Sequence, residues 1–211
     1  VQVSGCTFFG NHATTQGGAV AASYCGDLVD LSGCAFLDNT AGTGGGAVYN
    51  SESIMVLYQC TLGGNEAPAG SGIFTAGSYA DLDLHNCLVT ENLAGEGVGV
   101  AEDTWANLIC CDLYGNEGGN WVGPIAGLLG VQGNIEEDPL LCGDIVPEHP
   151  YMLQENSPCA EENNPQCHQI GAYGVGCTDT ISGQTPESRL LASLRIAPVP
   201  FRGEGRIVYE V

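Results

Sequence analysis

The feature that most constrains the fold is a short group of residues that returns five times in the first 134 positions. Each copy has a Cys, an apolar residue two places later and an Asn five places later. The pairs are Cys6 and Asn11, Cys34 and Asn39, Cys60 and Asn65, Cys87 and Asn92, and Cys111 and Asn116. The Cys residues lie 28, 26, 27 and 24 positions apart. A repeat of this length is typical of a solenoid, in which each coil packs on its neighbours.

The residues before each Cys alternate between polar and apolar, and the clearest example is the segment from Asp81 to Leu84. Such alternation predicts a half-buried strand, with Leu82 and Leu84 inward and the aspartates outward. The same phase places further apolar residues inward before the other Cys positions: Val1, Val3, Val29, Leu31, Met55, Leu57, Ala106 and Leu108. The inward residues of successive coils should therefore stack.

The residue directly before each repeat Cys is predicted to form a sharp bend with left-handed backbone angles, which glycine and asparagine tolerate best. These positions are Gly5, Gly33, Gln59, Asn86 and Cys110. After the bend, the Cys and the apolar residue two places later point inward again. We expect the five repeat cysteines to stack in the core as thiols.

The repeat asparagines are predicted to form a ladder, because their amides can donate and accept hydrogen bonds between turns of successive coils. A glycine-bearing motif then opens a third strand, at Gly17, Gly45, Gly70 and Gly95. Three strands and three turns per coil predict a parallel β-helix over residues 1–134, held together by stacking of coils about 4.8 Å apart.

The linked motifs carry a family resemblance. Phe8 to Asn11 and Phe36 to Asn39 match Phe-x-x-Asn, and glycine pairs follow each of them. This combination resembles the repeat of polymorphic outer-membrane proteins and, more broadly, the right-handed parallel β-helices of pectate-lyase-like folds. The resemblance implies an all-β, right-handed parallel β-helix. It does not select a function, since adhesins, lyases, hydrolases and spacers share this architecture.

Residues 135–177 depart from the repeat and resemble the closing stretch found after many bacterial β-helix repeats. The matching elements are Asp138-Pro139-Leu140, Tyr151-Met152-Leu153, Ser157-Pro158-Cys159 and Ile170-Gly171-Ala172. We expect this segment to continue the helix irregularly and cover its open end. Its four cysteines are an even set in a segment of exported character and are disulfide candidates: Cys142, Cys159, Cys167 and Cys177. A vicinal bond between Cys110 and Cys111 would be strained and is not expected.

Two shorter regions follow the cap segment. Residues 178–188 are polar and contain Gly, Pro, Ser and Thr, which predicts a linker over residues 178–193. Residues 194–211 contain Ala197-Pro198-Val199-Pro200-Phe201 and resemble the opening of the immunoglobulin-like sorting domains of proteins exported by type IX secretion. A complete β-sandwich of this kind needs roughly 70 to 100 residues, so we expect this domain to be truncated. We also expect missing coils before Val1, which already occupies a strand position.

Charge restricts the partners. The chain has 25 Asp and Glu residues but only four Lys and Arg, and all four are arginines at positions 189, 195, 202 and 206. An anionic rod repels phosphate, so nucleic acid is not an expected partner. A lyase acting on uronates needs a base, usually Arg or Lys, and residues 1–188 contain neither, which leaves a lyase only with a His or Tyr base or with the help of calcium. No apolar run is long enough to span a membrane.

A glycoside hydrolase is the main enzymatic alternative, because it needs only two suitably spaced carboxylates. Asp30 and Asp83 are the weak candidates, since both lie four residues before a repeat Cys and should point outward on one face. Val56 occupies the coil between them. Two coils correspond to about 10 Å, near the upper end of the inverting range. The simpler interpretation is that these carboxylates keep an exposed strand face soluble.

No metal site is expected from the sequence. Glu136, Glu137 and Asp138 offer oxygen ligands for calcium, but in no recognised calcium-binding spacing. The histidines His12, His85, His149 and His168 stand in unrelated contexts. Calcium would at most stabilise the fold, and no other cofactor is expected.

The sequence thus favours a secreted or cell-surface β-helix that acts as an adhesin-like, structural display or glycan-binding module. The expected partners are glycans or cell-surface proteins, and the expected state is a monomer. Variable turns such as Ala21 to Gly26 and Tyr49 to Ser53 should be displayed along one side. Aromatic residues predicted in exposed loops, where they can stack on sugars, are Tyr24, Tyr79, Trp105 and Trp121.

Overall fold

The computed structural model describes residues 1–143 and 150–178. His149, the predicted linker beyond residue 178 and the predicted sorting domain at 194–211 lie outside the described residues.

The chain forms stacked coils whose strands pair in parallel into four sheets. Sheet A comprises β1 (Gln2–Ser4), β5 (Val29–Ser32), β9 (Ile54–Tyr58), β13 (Asp81–His85) and β17 (Trp105–Ile109). Sheet B comprises β2 (Thr7–Phe9), β6 (Ala35–Leu37), β10 (Thr61–Gly63), β14 (Leu88–Thr90) and β18 (Asp112–Tyr114). Sheet C comprises β3 (His12–Ala13), β7 (Thr40–Ala41), β11 (Glu66–Ala67) and β15 (Leu93–Ala94). Sheet D comprises β4 (Val20–Ser23), β8 (Val48–Ser51), β12 (Ile73–Ala76) and β16 (Val98–Val100).

The predicted parallel β-helix is confirmed, with one addition to the coil. Each of the first four coils contains a two-residue strand after the repeat Asn, which forms sheet C and was not among the three strands predicted. Strands of two residues carry too little alternation to be recognised from sequence.

The core follows the predicted phase. Inward residues stack from coil to coil, as Leu31, Leu57, Leu84 and Leu108 do on sheet A, and all four are buried. On sheet B, Phe8 and Phe36 stack with ring centroids 4.9 Å apart. Each coil therefore buries its apolar side mainly against the coils above and below it, as expected for a solenoid.

The predicted bend before each repeat Cys is confirmed. All five residues have left-handed φ angles between 53° and 61°: Gly5, Gly33, Gln59, Asn86 and Cys110. A second bend, which we did not predict, lies directly before each repeat Asn, with φ between 54° and 67° at Gly10, Asp38, Gly64, Glu91 and Gly115. Three of these five residues are glycine, and that is the signal that could have revealed the bend.

The repeat asparagines make a continuous chain of hydrogen bonds along the solenoid. The backbone N and the Nδ2 of Asn39 both donate to Asn65 Oδ1, each at 2.9 Å, and Asn65 donates in the same way to Asn92. Each buried amide also donates to a carbonyl of the preceding coil, as Asn65 does to Phe36 O. The chain of bonds ends at Asn120, which accepts from Asn116 and donates to Glu136 Oε1 at 2.8 Å.

The repeat cysteines are free thiols. Four are buried, and each thiol donates to carbonyl oxygens, as Cys60 does to Leu31 O at 3.2 Å. Burial raises the pKa of the Cys34 and Cys87 thiols, which keeps them protonated and unreactive. Cys6, although predicted to point inward, is exposed, because the first coil has a described neighbouring coil on one side only.

The far end of the solenoid is covered mainly by residues that precede the predicted cap at 135–177, together with Ile135 at its start. Trp121 and Ile125 pack into the main core, Ile125 from the 3₁₀ helix η1 (Gly123–Leu128). Ile135 makes a parallel bridge to Asp112. Trp121 was predicted to be exposed, but its side chain is buried and its Nε1 donates to Ile135 O.

Residues 150–178, which we call the strap, lie along the outer side of sheet B rather than over the end of the helix. Gly171 N donates to Asn86 O at 2.8 Å, and Ala172 N donates to Thr61 Oγ1 at 2.9 Å. Within the strap, β19 (Leu153–Gln154) pairs with β20 (Val175–Cys177). A second core cluster, which includes Leu88, Leu153 and Ile170, joins the strap to the solenoid.

Two disulfides fix this arrangement, and they differ from the predicted set. Cys142 pairs with Cys177, whereas Cys167 pairs with Cys110 of the solenoid. The strap brings the Cα atoms of Cys110 and Cys167 to 5.4 Å, a normal disulfide separation. Cys159, a predicted disulfide candidate, is a buried free thiol that donates to Asp112 Oδ2 at 3.1 Å.

Candidate binding face

The outer side of sheet A is the candidate functional surface, because the strap packs on sheet B whereas several aromatic side chains of sheet A are exposed among the described residues. We call the outward residues of sheet A and the turns that lead into it the open face. Its members are Asp30, Ser32, Ile54, Val56, Tyr58, Asp81, Asp83, His85, Trp105 and Asn107, with the turn residues Tyr24, Leu28 and Tyr79. The parallel register fixes which of them are neighbours.

Exposed apolar side chains are concentrated on the open face. Among the described residues, thirteen large apolar or aromatic side chains are exposed, and six belong to this face. The exposed fraction is 82% for Tyr79, 78% for Tyr24 and 69% for Trp105. Leu28, Ile54 and Tyr58 are the other three. A concentration of this kind is a common mark of an interaction site.

The turns that carry the exposed tyrosines have defined local geometry. Tyr24 and Glu52 occupy equivalent corners of successive coils and have left-handed φ angles of 51° and 47°. The Glu52 carboxylate accepts a hydrogen bond from Tyr79 N at 2.9 Å. The Tyr79 turn is therefore held by the coil before it.

The two predicted display turns are only partly loops. Ala21 to Ser23 belong to β4, and Tyr24 to Gly26 form the exposed turn. In the segment Tyr49 to Ser53, the first three residues belong to β8 and Asn50 is fully buried. Asn50 Nδ2 donates to Thr75 Oγ1 and to two backbone carbonyls, so it is an internal support of the turn.

Asp30 and Asp83 lie where the sequence phase placed them. Both are in register with Val56, so they share one outward column with that residue between them. Asp30 accepts from Gln2 Nε2 at 3.3 Å and from Ser32 Oγ at 3.1 Å. Asp83 accepts from Asn107 Nδ2 at 3.0 Å. Each carboxylate is hydrogen-bonded by neighbouring polar side chains, and the two are kept apart by an apolar residue.

Asp81 is the most perturbed carboxyl group of the open face. It lies in register with Ile54 on one side and Trp105 on the other. Partial burial raises the pKa of Asp81, and the charge of Asp83 raises it further. Its Oδ1 is shielded from solvent and has no hydrogen-bond partner in the described structure. An unpaired carboxylate oxygen between two apolar side chains is poorly stabilised by the protein itself.

Beneath the strap, sheet B contains a different acidic site that is closed to solvent. Asp112 is fully buried, accepts from Cys159 Sγ and Glu137 N, and has a pKa raised to about 7 by burial. Tyr151 of the strap lies against Gly63 and Gly64 of β10 and the turn that follows it. These contacts hold the strap against sheet B.

The remaining polar candidates are engaged locally. Asp138 Oδ1 accepts from Leu140 N at 2.9 Å. His12 Nδ1 lies 2.7 Å from Thr40 Oγ1, and His168 Nδ1 lies 3.8 Å from Glu161 Oε1 on the strap. In the part of the chain that the structure describes, no three His, Cys, Asp or Glu side chains form a group that could hold a metal ion.

Sequence reasoning identified Tyr24, Tyr79 and Trp105 but missed Ile54 and Tyr58. The same alternation that places Met55 and Leu57 inward also places Ile54, Val56 and Tyr58 outward. Three outward apolar residues on one strand were the sequence signal that could have revealed this surface. They become a surface only when the register places them beside Asp81, Asp83 and His85.

Comparison with known proteins identifies the repeat. The model of the Chlamydia polymorphic membrane protein repeat matches residues 5–23 and 33–51, which are in the first two coils. The chain thus carries this repeat on a parallel β-solenoid, as the Phe-x-x-Asn and glycine motifs predicted. No curated protein and no solved structure gives a significant match to the chain. Over residues 1–143 and 150–178, no helix is long and apolar enough to cross a bilayer.

Proposed function

We propose that this chain is an adhesin-like display module of the cell surface, which acts as a monomer and binds its partner through the open face. The observation that carries the proposal is the concentration of exposed aromatic and apolar side chains on the open face, whereas the strap packs on sheet B in the part of the chain that the structure describes. The repeat of surface proteins in the first two coils supports a surface location.

The rigidity of the solenoid supports a binding role for these side chains. Trp105, Asp81 and Ile54 follow one another along a column in fixed register. Their strands are hydrogen-bonded to neighbouring strands of sheet A, so the backbone is already ordered. Little backbone conformational entropy therefore remains to be lost when a partner binds. Exposed aromatic residues on a rigid sheet provide large contact area at low entropic cost.

Adhesion of protein-coated beads to cultured epithelial cells tests the proposal. Beads carrying the folded chain should bind cells, and soluble protein should compete with them. Trp105→Ala should reduce binding about fivefold or more, because a central aromatic side chain commonly contributes 1 to 2 kcal/mol or more to an interface.

Phe9→Ala is the matched control, because Phe9 is also an aromatic residue in a strand and is 66% exposed, compared with 69% for Trp105. Phe9 belongs to sheet B, at the edge of the first coil. Circular dichroism should show that both variants keep the β-rich fold. Equal binding by the wild type and Trp105→Ala, or an equal loss in both variants, would contradict the proposal.

A further inference from the structure

The charges of the open face distinguish the kind of partner it suits. Residues 1–188 contain no Lys or Arg, so the carboxylates of this face have no Lys or Arg side chain of their own coil or of a neighbouring coil to pair with. Asp30 and Asp83 are bound by neutral amide and hydroxyl groups instead. Asp81 and Asp83 also repel each other. A cation supplied from outside would relieve these unfavourable interactions.

The arrangement of apolar residues around the carboxylates adds a shape requirement. Asp81 has Ile54 and Trp105 as its register neighbours, each one strand away, or about 4.8 Å. Asp83 has Val56 on one side in the adjoining column. An acid flanked by an aliphatic and an aromatic side chain accommodates a cation on a long apolar stem, and Lys and Arg have that form.

We propose that the open face binds a basic polypeptide segment, whose Lys or Arg side chains pair with Asp81 and Asp83 and whose stems pack on Ile54, Val56 and Trp105. This proposal rests on the proposed function, since it names the partner of the same face. Charge complementarity favours this partner over an acidic glycan or nucleic acid, which the anionic coils would repel. A neutral glycan would need the aromatic residues but not the carboxylates.

The test is fluorescence anisotropy with a short labelled peptide in which arginine alternates with leucine and glycine, against the same peptide with glutamine in place of arginine. The arginine peptide should bind the folded chain, and affinity should fall at least tenfold when NaCl rises from about 0.05 M to about 0.5 M, because screening weakens exposed charge pairs. Equal binding of the glutamine peptide would overturn the proposal.

Variants localise the binding. Asp81→Asn combined with Asp83→Asn should weaken the arginine peptide about tenfold, and Trp105→Ala about fivefold. Glu66→Gln removes one exposed carboxylate from sheet C and should change affinity less than about twofold. Asp81→Asn and Asp83→Asn are also measured singly. If Glu66→Gln weakens binding of the arginine peptide as much as either single aspartate variant does, attraction to the overall negative charge explains the binding and the proposal fails.

The bead assay separates this inference from the proposed function. If Trp105→Ala loses cell adhesion while the double aspartate variant adheres normally and the arginine peptide does not bind, the face is a binding surface for an uncharged partner and only this inference is wrong. If no open-face variant affects adhesion or peptide binding, both proposals are wrong.

Discussion

Asn65 shows how one side chain connects three successive coils. Its Oδ1 accepts from the backbone N and the Nδ2 of Asn39, and its Nδ2 donates to Asn92 Oδ1 and Phe36 O. We predict that Asn65→Ala lowers the free energy of unfolding by about 3 kcal/mol, because it leaves a buried backbone N–H and a buried carbonyl without partners. Urea unfolding followed by circular dichroism measures this loss.

Asn156→Ala is the control for that prediction, since Asn156 is an exposed strap residue. It should change the free energy of unfolding by less than about 0.5 kcal/mol. A small effect of Asn65→Ala, comparable to that of the control, would show that the ladder contributes little to stability.

Asp112 makes stability depend on pH. Burial raises its pKa to about 7, whereas the unfolded carboxyl titrates near its ordinary value of about 3.9. Between these values the folded chain holds a proton that the unfolded chain has released. The stabilisation that this proton provides is therefore fully present below about pH 4 and is lost progressively as the pH rises through about 7. Wild-type stability should decline by about 2 kcal/mol more than that of Asp112→Asn between pH 5 and 7.

The measurement is the free energy of unfolding at several pH values for the wild type, Asp112→Asn and the exposed-site variant Asn156→Ala. The Asn156→Ala curve should run parallel to the wild-type curve, because this substitution removes no titratable group. If the Asp112→Asn curve also runs parallel, Asp112 does not titrate near neutral pH in the folded chain.

Among the elements, the attachment of the strap to the solenoid depends on the disulfide between Cys167 and Cys110, the bend residue before Cys111. The disulfide between Cys110 and Cys167 closes a loop with a sequence separation of 57. The chain-entropy estimate for such a loop is about 4 kcal/mol. Replacing both cysteines with Ser should lower stability by an amount of this order and speed hydrogen exchange at Gly171 N and Ala172 N, which bond to the solenoid.

Replacement of Cys142 and Cys177 provides the comparison, because that disulfide does not attach the strap to a coil of the β-helix. It should speed exchange around β19 and β20 while Gly171 N and Ala172 N remain protected. Equal exchange at Gly171 N and Ala172 N in both double variants would contradict a specific role for the Cys110 link.

The strap also requires a glycine at position 63 on β10, where any side chain would occupy the space of the Tyr151 ring. A Cβ at Gly63 would collide with the Tyr151 ring. Gly63→Ala should therefore destabilise the chain by about 1 to 3 kcal/mol through overpacking. Combining it with Tyr151→Ala should recover part of that loss, so a thermal-unfolding double-mutant cycle should show positive coupling. Gly26→Ala, where a Cβ would meet open space, is the control. Additive effects of the two substitutions would argue against the contact.

The elements that recur could be predicted from the sequence, and those that occur once could not. Gln59 and Cys110 are not obvious bend residues, yet their place before each Cys identified them, and their φ angles are 53° and 54°. The strap occurs once, so no repeat in the sequence predicts its position. Its contacts join residues far apart in sequence, such as Thr7 and Tyr173, and no periodic pattern indicates which surface it covers.

The open face was partly predictable for the same reason. The phase of the alternation placed Asp30, Val56 and Asp83 in one column, and the register shows this. It could not show that the strap would pack on sheet B rather than on sheet A. Without that information, Tyr79 and Trp105 were separate exposed aromatics rather than parts of one surface.

At the scale of the whole molecule, the outer sides of sheets A and B have different roles. Sheet B is the attachment site for the strap and contains Asp112 in a closed environment. Sheet A presents aromatic and acidic side chains to solvent. The same stack of coils supports both, because buried ladders of Asn, Cys and aliphatic residues fix the register of every outward position.

The most direct test of the account is ¹⁹F NMR of the chain labelled with 5-fluorotryptophan while it binds cell-surface fractions that compete in the bead assay. The chain has two tryptophans, the exposed Trp105 and the buried Trp121 at the covered end. We predict that the Trp105 resonance shifts or broadens on binding while the Trp121 resonance changes only as far as slower tumbling requires. Binding that leaves the Trp105 resonance no more affected than that of Trp121 would contradict the assignment of the open face as the binding surface.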